Sequence, residues 1–337
     1  MKLYFSGIAS RSEASMLAGV SIADLLADTR DWRHIDPATA SAIAIDSGAY
    51  RAWKAGAPLE LDDWRDTVEQ CLAPLYSGRK KEAAAKSAKL RFVIMPDVFG
   101  DASATWDRWR TIEDRISNFE WLYPWVDQIV PVWQWGSPIE HLEAMVAWCA
   151  RATQSNLDDA GMFQPRADLV AIGGCVPWMR ANDTGALAEL LALSRQYGDK
   201  FHILGLNWLE AMMQLDPFVR SCDTSKWLDG ARYGTWINDR EGQLVVEAKV
   251  HCPRGQTRQD LCQQTAITLD NWCNKQLRGT AAPKSRSVRR YTLKPFVPPD
   301  KPIGPVNHLQ LIHSLAENKK RHEEAKENFI ENLRHRK

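Results

Sequence analysis

The sequence predicts an α/β chain folded as a closed (β/α)8 barrel, and three observations carry that reading. Short β-rich apolar runs recur through residues 1–225, each followed by a polar or helical stretch, the pattern of repeated βα units on a parallel sheet. Seven or eight such units suit a closed barrel better than an open sheet. No Gly-x-Gly-x-x-Gly turn follows the first strand, so the mark of a doubly wound dinucleotide fold is missing.

Strands are expected near 2–6, 42–46, 91–96, 128–133, 169–173, 201–205 and 219–222, with an eighth near 232–237. Between them lie helical patterns at Ser12–Leu26, Leu61–Tyr76, Ala104–Phe119, Ile139–Ala152, Thr184–Tyr197 and Trp208–Leu215, several opened by capping residues. Residues 77–90 are Lys- and Ala-rich without an apolar stripe and read as an exposed excursion. From Arg278 to Pro305 the chain becomes rich in Pro, Lys and Arg, which ends the compact part. Residues 306–336 read as a charged helix that packs at its start, around Leu309, Leu311, Ile312 and Leu315. The expected organisation is a catalytic barrel over 1–245 and a basic C-terminal extension over 246–337.

Composition bounds the class. No apolar run approaches the roughly 20 residues that span a bilayer, and the chain starts in a strand-like Leu3-Tyr4-Phe5, so a cytoplasmic protein with no membrane partner is expected. Seven scattered cysteines, an odd number, read as reduced thiols. The net charge of +1 hides a segregation: residues 249–337 carry 18 Lys/Arg and 8 Asp/Glu, leaving the remainder acidic. A polyanion docking from the C-terminal side fits that pattern, and a solvated basic tail is the plainer alternative. Of the 15 tryptophans, most are expected in packing and one or two as platforms for unstacked bases.

In such a barrel the chemistry sits at the C-terminal ends of the strands. Those ends read Asp46-Ser47-Gly48-Ala49-Tyr50, Asp97-Val98-Phe99-Gly100-Asp101, Gln134-Trp135, Gly173-Gly174-Cys175, Gly205-Leu206 and Asp223-Thr224-Ser225. Acids converging on one mouth are partly desolvated and push one another's pKa values apart. Glycoside chemistry needs such a pair, one carboxylate to trap the oxocarbenium-like sugar and another to shuttle the proton. Each acid taken alone is also a candidate helix cap or metal ligand.

These strand ends, in this order over roughly residues 40–230, resemble the tRNA-guanine transglycosylase family, including the relatives that insert 7-deazaguanine bases into DNA. The resemblance rests on Asp46-Ser47-Gly48 with Tyr50, Asp97, Gln134, Gly173-Gly174, His202-Ile203-Leu204-Gly205 and Asp223. It implies that Asp223 is the nucleophile at C1′ and Asp46 the general acid/base. It further implies that Ser47, Gly48, Asp97, Gln134, Gly173 and Gly174 bind the base, and that Tyr50 stacks on its face.

The departures carry information too. The tRNA enzymes have Asp-Ser-Gly-Gly and a Cys-Val-x-Pro-Thr-Arg-like run, where this chain has Asp46-Ser47-Gly48-Ala49 and Asp223-Thr224-Ser225-Lys226-Trp227. Their zinc motif is compact, whereas His251, Cys252, Cys262 and Cys273 are too widely spaced for a zinc knuckle, so no cofactor is expected and structural zinc is not favoured. Together with the basic extension, this points to the DNA-modifying branch, which is often phage-encoded. DNA and a 7-deazaguanine base such as preQ0 are the expected partners, with Arg286, Arg289 and Arg290 on the nucleic-acid backbone. The alternatives are tRNA as substrate, a deazaguanine-nucleoside hydrolase, and a non-catalytic nucleic-acid-binding barrel. A metal-dependent hydrolase would want histidines at strand ends, and His202, inside a strand, reads as a satisfied core residue.

Overall fold

The computed structural model describes residues 1–8, 10–17, 24–28, 32–35, 40–57, 59–76, 89–118, 125, 128–155, 167–228, 235–241, 243–247 and 257–279. Within them the chain forms a parallel α/β barrel of the TIM class. Its strands are β1 (Lys2–Phe5), β2 (Asp24–Asp28), β3 (Ala42–Asp46), β4 (Leu90–Ile94), β5 (Ile129–Val130), β6 (Val132–Gln134), β7 (Val170–Gly173), β8 (Phe201–Ile203) and β9 (Ser221–Thr224). The order around the sheet is β5-β4-β3-β2-β1-β9-β8-β7-β6.

β5 and β6 are two halves of one run split at Pro131, so the two edges of the sheet are the same stretch of chain. Proline has no N–H to give the ladder. Before it, Val130 O accepts from Met95 N at 3.1 Å; at it, Pro131 O accepts from Ala171 N at 2.9 Å. The run thereby changes partner from β4 to β7, and the ring closes with eight strand positions.

Strands covered on both faces are apolar throughout instead of alternating. β7 follows that rule, and β3 and β8 do so apart from Asp46 and His202, with Ile43, Ala44, Ile45, Val170, Ala171, Ile172, Phe201 and Ile203 fully buried. Tryptophans fill the layer between sheet and helices: Trp64, Trp109, Trp125 and Trp227 are among the largest fully buried side chains.

The structure corrects the strand count in two places. The eighth barrel strand is β2, whose first three residues are those expected to end a helix from Ser12. The helix described there is Arg11–Leu17. Asp24-Leu25-Leu26-Ala27-Asp28 is too short for its period to declare itself, and β2 holds its place by pairing with β1 and β3. The expected eighth strand near 232–237 lies outside the barrel: Trp236–Arg240 (β10) pairs antiparallel with Gln243–Glu247 (β11) as a separate hairpin.

The boundary drawn at 245/246 falls inside β11. The helix Arg258–Gly279 packs on the hairpin, where Thr265 Oγ1 accepts from Ile237 N at 3.2 Å. Its Cys262, Ala266, Leu269, Trp272 and Cys273 belong to the same core as the barrel. Residues 77–88 and 280–337, with the expected excursion, the Arg286, Arg289 and Arg290 cluster and the terminal helix, lie outside the described residues. No helix among the described residues is long and apolar enough to cross a membrane.

Candidate active site

The end of β9 fixes Asp223. The carboxylate is 4% exposed, and its Oδ1 accepts from Gly205 N at 2.8 Å. Gly205 has φ 66°, a left-handed conformation that a side chain resists, and this turn aims its N–H at the acid. Leu206 N donates to Asp223 O at 2.8 Å, and Thr224 Oγ1 donates to Asn207 Oδ1 at 2.7 Å. One carboxylate oxygen is therefore clamped. No hydrogen bond to Oδ2 is made among the described residues, which leaves it for a ligand.

Across the ring stands Asp97, four strand positions from Asp223 in either direction when β5 and β6 count as one. Gln134 Nε2 donates to Asp97 Oδ2. Burial pushes the Asp97 carboxyl up to about 6, against a backbone hydrogen bond, the charge of Arg108 and the Gln134 amide, which all pull it down. Gly173 and Gly174 leave room for that amide. A Cβ on Gly174, at φ 74°, would stand 2.6 Å from Gln134 Oε1, and one on Gly173 would stand 3.2 Å from Gln134 Nε2.

The third group follows β3. Asp46 Oδ1 accepts from Ser47 N at 2.8 Å, and Ser47 Oγ accepts from Ala49 N at 3.2 Å. Gly48, at φ 77°, turns the chain into the helix Ala49–Lys54 without a side-chain cap. The helix after β4, Ala102–Ser117, is capped by Asp101, which accepts from Ala104 N at 2.9 Å. The cap of that helix is Asp101 and not Asp97, so the capping alternative is removed for Asp97. Tyr50 stacks on Trp53 with ring centroids 5.7 Å apart and meets Phe99 edge-on at 5.0 Å. Tyr50 and Trp53 are both exposed, making an aromatic wall at the mouth.

Asp46, Ser47, Tyr50, Asp97, Gly173, Gly174 and Asp223 line one cavity of about 440 Å³. Gln134 stands behind Asp97, and Gly48 sets the turn beneath Tyr50. The sequence reading missed Lys54, Phe99, Arg180 and Asn207, which line the same cavity. A second hollow of about 420 Å³ adjoins it, sharing Arg180 and Asn207 and adding Lys226. Lys54, Arg180 and Lys226 give the mouth a cationic rim. None was legible in advance, since each lies on a short helix or loop where no local pattern marks it.

Among the described residues no cluster of three or more His, Cys, Asp or Glu side chains is placed to hold a metal. Cys262 and Cys273 are buried, and burial raises the Cys273 thiol to about 12, which disfavours the thiolate that a metal needs. His251 and Cys252 lie outside the described residues.

His202 departs from the sequence expectation. It is fully buried, as a core residue should be, but only half satisfied. Nδ1 lies 2.9 Å from Ser221 Oγ, whereas Nε2 makes no hydrogen bond among the described residues and lies 3.6 Å from Asp223 Oδ1.

A carboxylate held by one oxygen, a second carboxylate on the same cavity, an acid and amide pair opposite and an aromatic wall can bind a flat polar ring and attack a carbon attached to it. Comparison with protein-family models and with curated proteins finds no match for this chain.

Proposed function

We propose that the chain is a pentosyltransferase that exchanges guanine in DNA for a 7-deazaguanine base such as preQ0, through a covalent glycosyl-enzyme. The observation that carries this reading is the placement of Asp223 and Asp46 on one cavity, with the Asp97 and Gln134 pair across from Asp223. A base whose edge meets Asp97 has its sugar directed toward Asp223.

Asp97, as carboxylate, accepts from the N1–H and 2-amino edge of guanine, and Tyr50 covers the ring face. Asp223 Oδ2 attacks C1′. The C1′–N9 bond breaks, its electron pair leaves with guanine, and Asp46 supplies the proton. The incoming base then attacks C1′ through its own nitrogen and gives its proton to Asp46, and the C1′–O bond pair returns to Asp223. Two displacements give net retention.

A guanine inside a duplex cannot present C1′ to a barrel mouth, so it leaves the stack at a cost of a few kcal/mol. Lys54, Arg180 and Lys226 at the rim, together with Arg286, Arg289 and Arg290 of the basic C-terminal sequence, supply backbone contacts that offset that cost. The basic C-terminal quarter and the departures at Ala49 and at 224–227 favour DNA over tRNA.

The test is incorporation of labelled preQ0 into duplex DNA, tRNA and free guanosine, each offered separately. The expected result is label in DNA with the native chain and none with Asp223→Asn. Undiminished incorporation by Asp223→Asn would sink the nucleophile assignment, and label confined to tRNA or to the nucleoside would move the substrate.

A further inference from the structure

A buried imidazole nitrogen with no hydrogen bond costs folding free energy and calls for an explanation. Among the described residues His202 Nε2 has no such bond, and unlike the other buried unpartnered atoms it faces Oδ1 of the proposed nucleophile. The ring is locked from three sides. Tyr4 meets it edge-on with centroids 5.6 Å apart, Phe92 packs at 4.9 Å, and Ser221 Oγ lies 2.9 Å from Nδ1. The imidazole therefore has no room to turn away from Asp223.

The tautomer follows from what each nitrogen meets. Ser221 has a hydroxyl proton to donate to Nδ1, and Asp223 has only acceptors to offer Nε2. The ring consequently carries its proton on Nε2, directed at the carboxylate. At 3.6 Å the contact is longer than a hydrogen bond, and Gly205 N already holds Oδ1 at 2.8 Å.

We propose that His202 is a positioning residue for the second half of the exchange: its Nε2–H, aimed at Asp223 Oδ1 from 3.6 Å, supports the carboxylate charge that returns as the glycosyl ester breaks. This rests on the transglycosylase reading of Asp223. In the adduct, Oδ2 is bonded to C1′ and Oδ1 is a carbonyl oxygen with little charge. As the incoming base attacks C1′, the C1′–Oδ2 pair returns to the acid and negative charge spreads over both oxygens. A second donor poised at Oδ1 favours that charged product and makes Asp223 a better leaving group. No proton is transferred: Nε2 keeps its hydrogen, and the base's proton still goes to Asp46. Ser221, buried on the far side of the ring from Asp223, acts by holding the tautomer that puts the hydrogen on Nε2.

Single-turnover kinetics separate adduct formation from adduct breakdown. Glutamine places its amide N–H where Nε2 stands, and asparagine places it where Nδ1 stands, so the pair asks which nitrogen matters. His202→Asn is expected to slow breakdown by up to about tenfold and not to slow formation, since a donor at Oδ1 also steadies the attacking carboxylate, so that adduct accumulates. His202→Gln is expected to restore breakdown to within a fewfold of the native rate, and Ser221→Ala to shift the partition in the direction of His202→Asn by a smaller factor. Equal slowing of both steps in His202→Asn, or the same partition in the Gln and Asn variants, overturns the proposal and leaves the nucleophile assignment standing. No adduct with the native chain on any nucleic acid overturns the transglycosylase reading, and this one with it.

Discussion

The two ends of the barrel both carry buried or half-buried carboxylates and hold them in opposite ways. At the N-terminal end, Asp24 faces Lys2 Nζ at 3.0 Å and accepts from Ser41 Oγ at 2.6 Å, Asp216 faces the Met1 ammonium at 3.1 Å, and Asp168 pairs with Lys200. At the C-terminal end, Asp223 is held by a backbone N–H and Asp97 by an amide. Each acid at the bottom has a cation in contact with it, whereas the hydrogen-bond donors at Asp97 and Asp223 are neutral. A buried acid whose charge is matched internally contributes to folding; one held by neutral dipoles keeps its charge for a ligand. Counting acids does not distinguish the ends, and the identity of the donor does. The bottom hollow, at about 910 Å³, is larger than the cavity at Asp223, so size alone would favour the other end.

The sharpest way to break this contrast is to remove one acid from each end. Asp223→Asn is expected to lower exchange by on the order of 10³-fold or more with little change in melting temperature. Asp24→Ala is expected to do the reverse, costing about 1–3 kcal/mol in denaturant unfolding through the lost Lys2 and Ser41 contacts, while activity per folded molecule is retained. Exchange that survives the first and collapses in the second would invert the account.

Asp97 offers the next largest effect, and it appears in pH. Its folded-state value, raised to about 6, lies above the unfolded value near 4, so between these the folded protein holds a proton that the unfolded chain has released. Stability is expected to fall by about 2–3 kcal/mol from pH 4 to above pH 6 on account of this group. Asp97→Asn should remove that slope. Base binding runs the other way, since guanine needs the carboxylate: kcat/KM is expected to rise through about pH 6 in the native chain, and the Asn variant should lack that limb. Thermal melts and rate profiles across pH 4–8 check both.

Glycines make a finer test. Gly174 and Gly136 both have left-handed φ, 74° and 88°, but a Cβ at Gly136 would meet nothing within 4 Å. Gly136→Ala is expected to cost only backbone strain, about 1 kcal/mol. Gly174→Ala should add displacement of Gln134 and so a raised KM for the base. Equal kinetics in the two variants would make Gly174 a turn residue and nothing more. The smallest effect is expected from neutralising Arg286, Arg289 and Arg290 together: weaker DNA binding with a shallower salt dependence, read by titration at several ionic strengths.

The barrel was legible because fully buried strands write themselves as apolar runs, and seven of the eight positions were read at or near their places. β2 was not, because Asp24–Asp28 offers only three apolar residues directly after a helical pattern. The hairpin strand at 236–240 was misplaced for the complementary reason: a strand's sequence records its own burial and not its partner. At the mouth, Asp46, Asp97 and Asp223 were legible only as a set, since acids after several buried strands converge on one mouth whereas each alone could cap a helix. Gly173 and Gly174 were legible as glycines needing space, though what they make space for is Gln134. Lys54, Arg180 and Asn207 were not legible, since only the closing of the ring brings their loops to one cavity. His202 was read as a satisfied core residue because sequence shows that a histidine is buried and cannot show that one of its nitrogens lacks a partner.

The division of labour between the carboxylates can be weighed directly. Intact mass spectrometry of the chain incubated with a guanine-containing DNA oligonucleotide, with no acceptor base present, should find a covalent adduct equal to the oligonucleotide less one guanine. Peptide mapping should place it on Asp223, and Asp223→Asn should give none. An adduct on Asp46 or Asp97, or one that persists in Asp223→Asn, would contradict the account.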